Sequence, residues 1–166
     1  MNVHLKSGCF VGPLSDTTNA DCPSLTAQVT LVEAWIDEQA RAGRRFAVLG
    51  DFNRRLSHET GPLWDAQGRR QNLWAEIDDA DPPGADLTAT TLQQPFVKCI
   101  ADDPYDSYVD HVVLGRDLAQ QVKPRSWIRV PYRLEDAKQY RLSDHCPVGI
   151  ELRLSSKPAG RSARTR

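Results

Sequence analysis

Apolar and polar positions along the chain follow a pattern that predicts an α/β domain. Between residues 25 and 40 the apolar side chains recur at three- and four-residue steps, which predicts an amphipathic helix beginning near residues 22–24 and ending at Gly43. A short strand over residues 2–5 precedes this helix, and a continuous apolar run over residues 46–49 follows it. Because that run has no polar alternation, we expect a strand covered on both faces. The order strand, helix, strand is typical of α/β domains.

The rest of the chain predicts a few further elements. We expect a helix around residues 73–77, a turn at 81–84, strands over 108–114 and 127–130, and a last strand over 148–154 with one polar face. Residues 155–166 form a basic segment rich in Ser and Arg, which we expect to be a disordered tail. The domain is therefore expected to span residues 1–154. Because its first strand begins almost at residue 1, we also expect that part of the domain is missing upstream.

Composition and charge are those of one globular domain. The 166 residues are 40% hydrophobic and 26% charged, which suffices for one core but not for two full domains. No apolar run approaches the roughly 20 residues of a membrane-spanning helix. Of the 21 Lys and Arg residues, four lie beyond residue 155, so residues 1–155 carry 17 basic against 22 acidic side chains, a net charge of −5. This charge argues against a protein that grips a long duplex through its phosphates.

The four cysteines bear on metal binding and on the compartment. None of Cys9, Cys22, Cys99 and Cys146 falls in a Cys-x-x-Cys pair, so a structural zinc site is not expected. Cys9 and Cys22 flank a segment rich in Gly, Pro and small polar residues, where a disulfide would close a small loop and would indicate an oxidising compartment. Two free thiols in a cytosolic protein are the alternative. The sequence indicates no partner for Cys99.

Polar side chains suited to catalysis follow the first two predicted strands. Asp51 and Asn53 come directly after the second strand, and at this spacing in extended chain both side chains point the same way, toward one phosphate or one metal ion. His4 ends the first strand. The alternatives are a plain turn and a partly buried structural histidine. Arg54 and Arg55 would bring guanidinium groups to a phosphate at the rim, unless they begin an exposed helix.

Two further candidates lie near the predicted third and last strands. Asp110 lies inside the apolar strand 108–114, where a carboxylate costs several kcal/mol unless a charge or a donor compensates it. Asp144 and His145 precede the last strand, and this imidazole is suited both to pair with Asp110 and to transfer protons near neutral pH. The alternatives are an aspartate that caps backbone amides and a histidine that is incidental to a connector.

The order of these motifs resembles a known family. Val-His-Leu-Lys-Ser, Val-Leu-Gly-Asp-Phe-Asn, Val-Asp-His-Val-Val-Leu and Ser-Asp-His-Cys-Pro-Val follow one another between residues 2 and 154. Together they resemble the C-terminal half of the endonuclease/exonuclease/phosphatase superfamily, the DNase-I-like metal-dependent phosphohydrolases. Because Cys9 and Cys22 follow the first motif, the chain looks most like an exported bacterial member, whose parent would be secreted or periplasmic. The resemblance implies an α/β fold, a four-layer α/β sandwich. This chain would supply one sheet of that sandwich together with the helices that cover it.

The resemblance also implies a role for each matching residue. Asp51 resembles the carboxylate that positions or deprotonates the attacking water, and Asn53 the amide that binds the phosphoryl oxygens. His4 resembles the histidine that donates to the scissile phosphate. His145 matches the imidazole that acts with the water or the phosphate, and Asp110 the buried acid that orients it.

Cofactor and partners follow from the same resemblance. Asp51, Asn53 and Asp144 would hold Mg²⁺ or Mn²⁺, weakly, because the Asn and Glu supplied by the family's N-terminal half have no counterpart here. We expect a metal-dependent phosphodiester or phosphomonoester hydrolase of nuclease or phosphodiesterase type, acting on phosphate esters, nucleic acid among them, as a fragment of a longer parent or with a complementing chain. The alternative is a non-catalytic half-domain remnant or interaction module. In either case the sheet face toward the missing half should expose an apolar patch.

Overall fold

A mixed four-stranded sheet and one long helix form the centre of the molecule. The computed structural model describes residues 1–61 and 63–153, so the tail expected over 155–166 lies outside the described residues. In chain order the elements are β1 (Asn2–His4), α1 (Asp21–Arg41), β2 (Ala47–Asp51), α2 (Leu73–Ile77), β3 (Leu87–Ala89), β4 (Asp110–Gly115), α3 (Arg116–Ala119), β5 (Ile128–Arg129), α4 (Leu134–Gln139) and β6 (Val148–Gly149). Short 3₁₀ helices occupy Leu56–His58 and Thr90–Gln93.

The main sheet has the strand order β1-β2-β4-β3. β1 runs parallel to β2, whereas β4 runs antiparallel to both of its neighbours, β2 and β3. β5 and β6 form a separate two-stranded antiparallel sheet. The predicted α/β class is confirmed, with a mixed sheet.

Helix α1 covers one face of the main sheet, as its apolar periodicity predicts. The buried cluster between them includes Leu25, Val29, Ile36, Val48 and Val113. The helix ends where the sequence predicts, because Gly43 has φ +61° and its N–H donates to the carbonyl oxygen of Ala40 at 2.9 Å. No helix in the described part of the chain is long and apolar enough to cross a bilayer.

The opposite face of the main sheet is covered only in part. Val112 and Leu114 of β4 pack there against Leu118 of α3. Leu49, the register partner of Val112, remains 43% exposed. The expectation that residues 46–49 are covered on both faces is therefore wrong, because the described part of the chain does not cover this end of the face.

The last strand is shorter than the sequence predicts. Only residues 148–149 pair with β5, whereas the alternation predicts a strand to residue 154. The backbone beyond β6 pairs elsewhere, since the N–H of Lys123 donates to the carbonyl oxygen of Glu151 at 2.8 Å. The sequence does not predict β3, α3 or α4, because elements of three to six residues carry too few positions for a periodic pattern.

Two disulfide bonds join all four cysteines. Cys9 is bonded to Cys22 across the polar loop that follows β1. These two residues are therefore not the free thiols that the sequence left as an alternative. Cys99 is bonded to Cys146, a pair separated by 47 residues. The second disulfide joins the segment before β4 to the loop before β6, immediately beside one of the candidate catalytic histidines.

Candidate active site

Three adjacent strands end in one row of polar side chains. His4 of β1 is the parallel register partner of Asp51, and Asp51 of β2 is the antiparallel partner of Asp110 in β4. Directly paired residues on neighbouring strands lie about 5 Å apart with their side chains on the same face. The sheet itself therefore places these three candidate residues next to one another.

The backbone around Asp51 has two special conformations. Gly50 has φ +133°, and a Cβ there would lie 2.0 Å from the carbonyl oxygen of Val3, so only glycine allows β2 to approach β1 at this point. Asn53 has φ +48°, a left-handed conformation that asparagine tolerates. This turn directs the Asn53 side chain back toward Asp51. Its Nδ2 donates to Asp51 Oδ2 at 3.0 Å and to the carbonyl oxygen of Leu5 at 2.9 Å.

Asn53 thus holds the Asp51 carboxylate in place. Its backbone N–H donates to Asp51 Oδ1 at 2.7 Å, and both of its amide N–H groups are used within the protein. Donation from this amide to a phosphoryl oxygen, which the resemblance implies, is therefore not available in this arrangement. Burial raises the pKa of Asp51 above its usual value, against the opposing effects of the Asn53 N–H and the neighbouring His145.

Two imidazoles flank the Asp51 carboxylate. His4 Nε2 lies 3.6 Å from Asp51 Oδ2, and His145 Nε2 lies 3.8 Å from the same oxygen. The other ring nitrogen of His145, Nδ1, lies 2.9 Å from both carboxylate oxygens of Asp110. Asp110 therefore has the imidazole partner that its place in an apolar strand predicts.

The carboxylates around His145 favour its charged form. Burial alone would lower the pKa of His145, but the hydrogen bond and the charge of Asp110, together with Asp51 and Asp144, raise it above its usual value. The imidazole therefore holds a second proton to higher pH than an isolated histidine does. With Nδ1 engaged by Asp110, that proton lies on Nε2, the nitrogen nearest Asp51.

Several contacts fix the loop that carries His145. Tyr132 Oη donates to the carbonyl oxygen of His145 at 2.9 Å, and the next residue, Cys146, is bonded to Cys99. Arg129 donates through Nε to the Cys146 sulfur at 2.9 Å and through Nη2 to the Cys99 sulfur at 2.8 Å. Sequence reasoning missed Cys99 and Arg129. The only available signal was the position of Cys146 directly after His145.

Asp144 is the most exposed acid of the site and bears on metal binding. Its side chain is 65% exposed, and its Oδ1 lies 4.0 Å from His145 Nε2, the nitrogen that Asp51 also approaches. Among residues 1–61 and 63–153, no three His, Cys, Asp or Glu side chains form a group able to hold a metal ion. Mg²⁺ commonly takes one or two carboxylates and completes its shell with water and phosphate oxygens. The carboxylates of Asp51 and Asp144 and the amide oxygen of Asn53 are of the ligand types that Mg²⁺ takes, and their role as a metal site stays a prediction.

Arg54 lies in the interior and not at the rim. It is 0% exposed, and its Nε donates to Glu59 Oε1 at 2.6 Å. Its other nitrogens donate to the carbonyl oxygens of Cys9 and Gly12. The expectation that Arg54 contacts a substrate phosphate is therefore wrong, because the buried hydrogen bonds leave no part of the guanidinium free to bind a ligand. The neighbouring Arg55 does line the cavity beside the site.

A cavity of about 160 Å³ opens beside the candidate catalytic groups. Its lining includes Asn53, Asp110, Asp144 and His145. The lining also includes Phe10, Phe96, Tyr105 and Arg129, which sequence reasoning did not assign to the site. These four come from loops and from β5, distant in the sequence from the motifs, and no local pattern marks them.

Comparison with known proteins finds a match over most of the chain. A sequence model of the Endonuclease/Exonuclease/phosphatase family matches residues 4–145, which is most of the chain. The matched segment begins at His4 and ends at His145, the two imidazoles that flank Asp51. No curated protein matches the chain in sequence.

Proposed function

Because this chain belongs to the Endonuclease/Exonuclease/phosphatase family, whose members are hydrolases of the phosphodiesterase and nuclease type, we propose that it hydrolyses a phosphate ester at the row of His4, Asp51 and Asp110. One observation carries the proposal. The Asp51 carboxylate lies between two imidazole nitrogens, at 3.6 and 3.8 Å, and the second imidazole is backed by Asp110. This arrangement combines a base with two donors, as phosphoryl transfer requires.

The proposed steps follow from the atoms in place. Asp51, with its raised pKa, is a stronger base than an ordinary aspartate, and it takes a proton from the attacking water. The water oxygen bonds to phosphorus as the bond to the leaving oxygen breaks, and the leaving group departs as an oxyanion that takes a proton from solvent. His145, protonated on Nε2 and held by Asp110, donates to a phosphoryl oxygen as negative charge develops there. His4, whose side chain is 80% exposed, is free to approach the scissile phosphate from the open side.

The metal is part of the proposal. Asp51, Asp144 and the amide oxygen of Asn53 would hold Mg²⁺ or Mn²⁺, with water and the substrate completing the shell. When bound, such a cation neutralises charge on the phosphoryl oxygens.

A complementing chain is the partner that we propose for the partly covered sheet face. Leu49 of β2 is 43% exposed on that face, and Ile128 (56%) and Val130 (49%) are exposed on or beside β5 of the smaller sheet. A second layer would cover them and could add metal ligands. The same exposure favours the second candidate function, a non-catalytic half-domain or interaction module. The two disulfides support an exported parent, since such bonds persist in oxidising compartments.

Hydrolysis by the purified chain separates these two functions. Bis(4-nitrophenyl) phosphate and plasmid DNA are incubated with the chain and Mg²⁺, and then with Asp51→Ala and His145→Ala. We expect each variant to lose about 10²–10⁴-fold in rate, whereas His58→Ala, a change at an exposed histidine outside the site, retains the parent rate. Turnover that both site variants retain would refute the proposed site. A parent chain without turnover would favour the interaction module.

A further inference from the structure

One histidine of the sheet interior has no part in the steps proposed above. His111 follows Asp110 in β4 and is the register partner of Gly50 in β2. Successive residues of a strand point to opposite faces, so the His111 side chain points away from the row that contains Asp110. It is 1% exposed, and burial lowers the pKa of His111 to about 4. The ring is therefore neutral at neutral pH.

The hydrogen-bond partners of His111 determine its tautomer. Nε2 lies 2.9 Å from the backbone carbonyl oxygen of Arg54, which can only accept, so Nε2 carries the proton and donates it. Nδ1 lies 2.6 Å from Thr91 Oγ1. Because Nδ1 of the neutral ring has no proton, the Thr91 hydroxyl donates to it. The Phe52 ring packs against the imidazole in a T-shaped arrangement, with the ring centres 5.4 Å apart.

The carbonyl that His111 holds belongs to the turn that carries Asn53. Asn53 donates to the Asp51 carboxylate while its own backbone has φ +48°. A non-glycine residue keeps such a conformation only where the surrounding contacts enforce it. The next peptide unit but one is held on both sides, since the Arg54 carbonyl accepts from His111 and the Arg55 N–H donates to the carbonyl oxygen of Phe10 at 2.9 Å. His111 thus anchors the end of the turn.

From these contacts we infer that His111 is a positioning residue: its Nε2–H holds the Arg54 carbonyl, and the turn held in this way places the Asp51 carboxylate through Asn53. The inference rests on the proposed function, because it concerns the base of that reaction. It gives His111 no contact with substrate. Without this donor the buried Arg54 carbonyl would lack its partner, and the turn would relax to satisfy it. A shift of about 1 Å in a catalytic group can cost about 10²-fold in rate.

Two amide side chains of different reach test this contact. Glutamine reaches about as far as Nε2 of histidine and can donate to the Arg54 carbonyl, whereas the shorter asparagine ends near the position of Nδ1. We expect His111→Asn to lower kcat by about 10- to 100-fold with KM nearly unchanged, and His111→Gln to stay within about threefold of the parent. Hydrolysis of bis(4-nitrophenyl) phosphate with Mg²⁺ measures both variants. Equal rates of the two variants, or a change confined to KM, would overturn the inference.

Amide hydrogen exchange examines the turn without any turnover. The Asn53 N–H, which donates to Asp51 Oδ1 at 2.7 Å, should exchange about 10- to 100-fold faster in His111→Asn than in the parent. Amides in the middle of α1 should change much less. An α1 that loses protection as much as Asn53 would show a general loss of stability and overturn the positioning role, as would an Asn53 amide that keeps its protection. If the parent hydrolyses no ester, selective exchange at Asn53 would leave the positioning role standing and refute only the catalytic function.

Neighbouring threonines supply a matched control. Thr91→Val removes the hydroxyl that donates to Nδ1 of His111, which frees the ring to move its proton from Nε2 to Nδ1 and so to lose the bond to Arg54. Thr90→Val removes a hydroxyl that donates to the carbonyl oxygen of Val112 at 3.1 Å instead. We expect ¹⁵N NMR at neutral pH to show the Nε2–H tautomer in the parent and in Thr90→Val, and hydrolysis to slow only in Thr91→Val. A parent ring protonated on Nδ1, or equal slowing in both threonine variants, would contradict the assignment.

Discussion

His145 and Asp110 meet in a forked contact, with Nδ1 of the imidazole 2.9 Å from both oxygens of the carboxylate. An ionised carboxylate only accepts hydrogen bonds, so Nδ1 carries the proton and donates it. Nε2 then faces Asp51, whose Oδ2 lies 3.8 Å away. Asp110 thus determines which nitrogen of His145 is presented to the site and favours the protonated ring.

Replacing Asp110 tests this relationship directly. Asp110→Asn keeps the shape of the side chain but removes its charge, so the pKa of His145 should fall toward its usual value or below. Hydrolysis should slow by about 10²–10⁴-fold, because the ring loses its fixed orientation and its proton. An NMR titration of the His145 ring protons measures the pKa independently of activity. Asp102→Asn, at an exposed acid outside the site, is the matched control; an unchanged His145 pKa in Asp110→Asn would contradict the assignment.

The row of His4, Asp51 and Asp110 is partly predictable from sequence because it depends on positions in strands. His4 ends the first predicted strand, Asp51 follows the second and Asp110 lies inside the third, and a strand fixes both the position and the direction of its side chains. The strand order that brings them together, β1-β2-β4, is not predicted by the sequence pattern and is seen only in the folded chain.

Arg54 shows where such reasoning ends. Its position after Asn53 suggests an exposed guanidinium, but Glu59 and the carbonyl oxygens of Cys9 and Gly12 draw it inward. Those partners lie on separate segments of the chain, so no local sequence pattern predicts that Arg54 is buried. The same holds for the aromatic cavity and for the pairing of Cys99, which depend on loops that only the folded chain brings together.

The two disulfides should differ in their effect on stability and on the site. In the chain-entropy view a disulfide that closes a longer loop stabilises the fold more. Removing Cys99–Cys146, which spans 47 residues, should cost about 4 kcal/mol of unfolding free energy. Removing Cys9–Cys22, which spans 13 residues, should cost about 3 kcal/mol. Urea unfolding of the two double-serine variants measures this difference. Only the Cys99→Ser/Cys146→Ser variant should also broaden or shift the His145 ring signals. Equal effects of both variants on His145 would argue against a local tether.

The buried ion pair of Arg54 and Glu59 should be essential to the fold. Their side chains are 0% and 3% exposed, and Arg54→Met would leave the Glu59 carboxylate buried without its cation. We expect a loss of about 3–5 kcal/mol in the free energy of unfolding. Arg44→Met, which breaks the exposed pair with Glu38, should cost at most about 1 kcal/mol. Urea denaturation compares the two variants, and equal losses would show that the buried pair has no special role.

Glu33 on α1 is an acid in an unfavourable place. Its Oε2 is buried without a hydrogen-bond partner in the described residues. Burial, and then the nearby charges of Asp79, Asp37 and Glu76, raise its pKa to about 8, against the opposing charge of Arg70. The folded protein therefore holds a proton on Glu33 under conditions in which the unfolded chain has lost it.

Stability should consequently fall as the pH rises from about 4.5 to about 8, because over this range the folded state binds more protons at Glu33 than the unfolded state does. Glu33→Gln, which is always neutral, should match the parent near pH 4 and exceed it at pH 8.5. Since the group is only partly buried, we expect a gain of about 1–3 kcal/mol in the free energy of unfolding, less than the full shift implies. Urea unfolding at both pH values measures this gain, with Glu38→Gln, at an exposed acid of the same helix, as the control. If Glu33→Gln showed no gain at pH 8.5, or the same gain at both pH values, Glu33 would be ionised in the folded protein and the interpretation would fail.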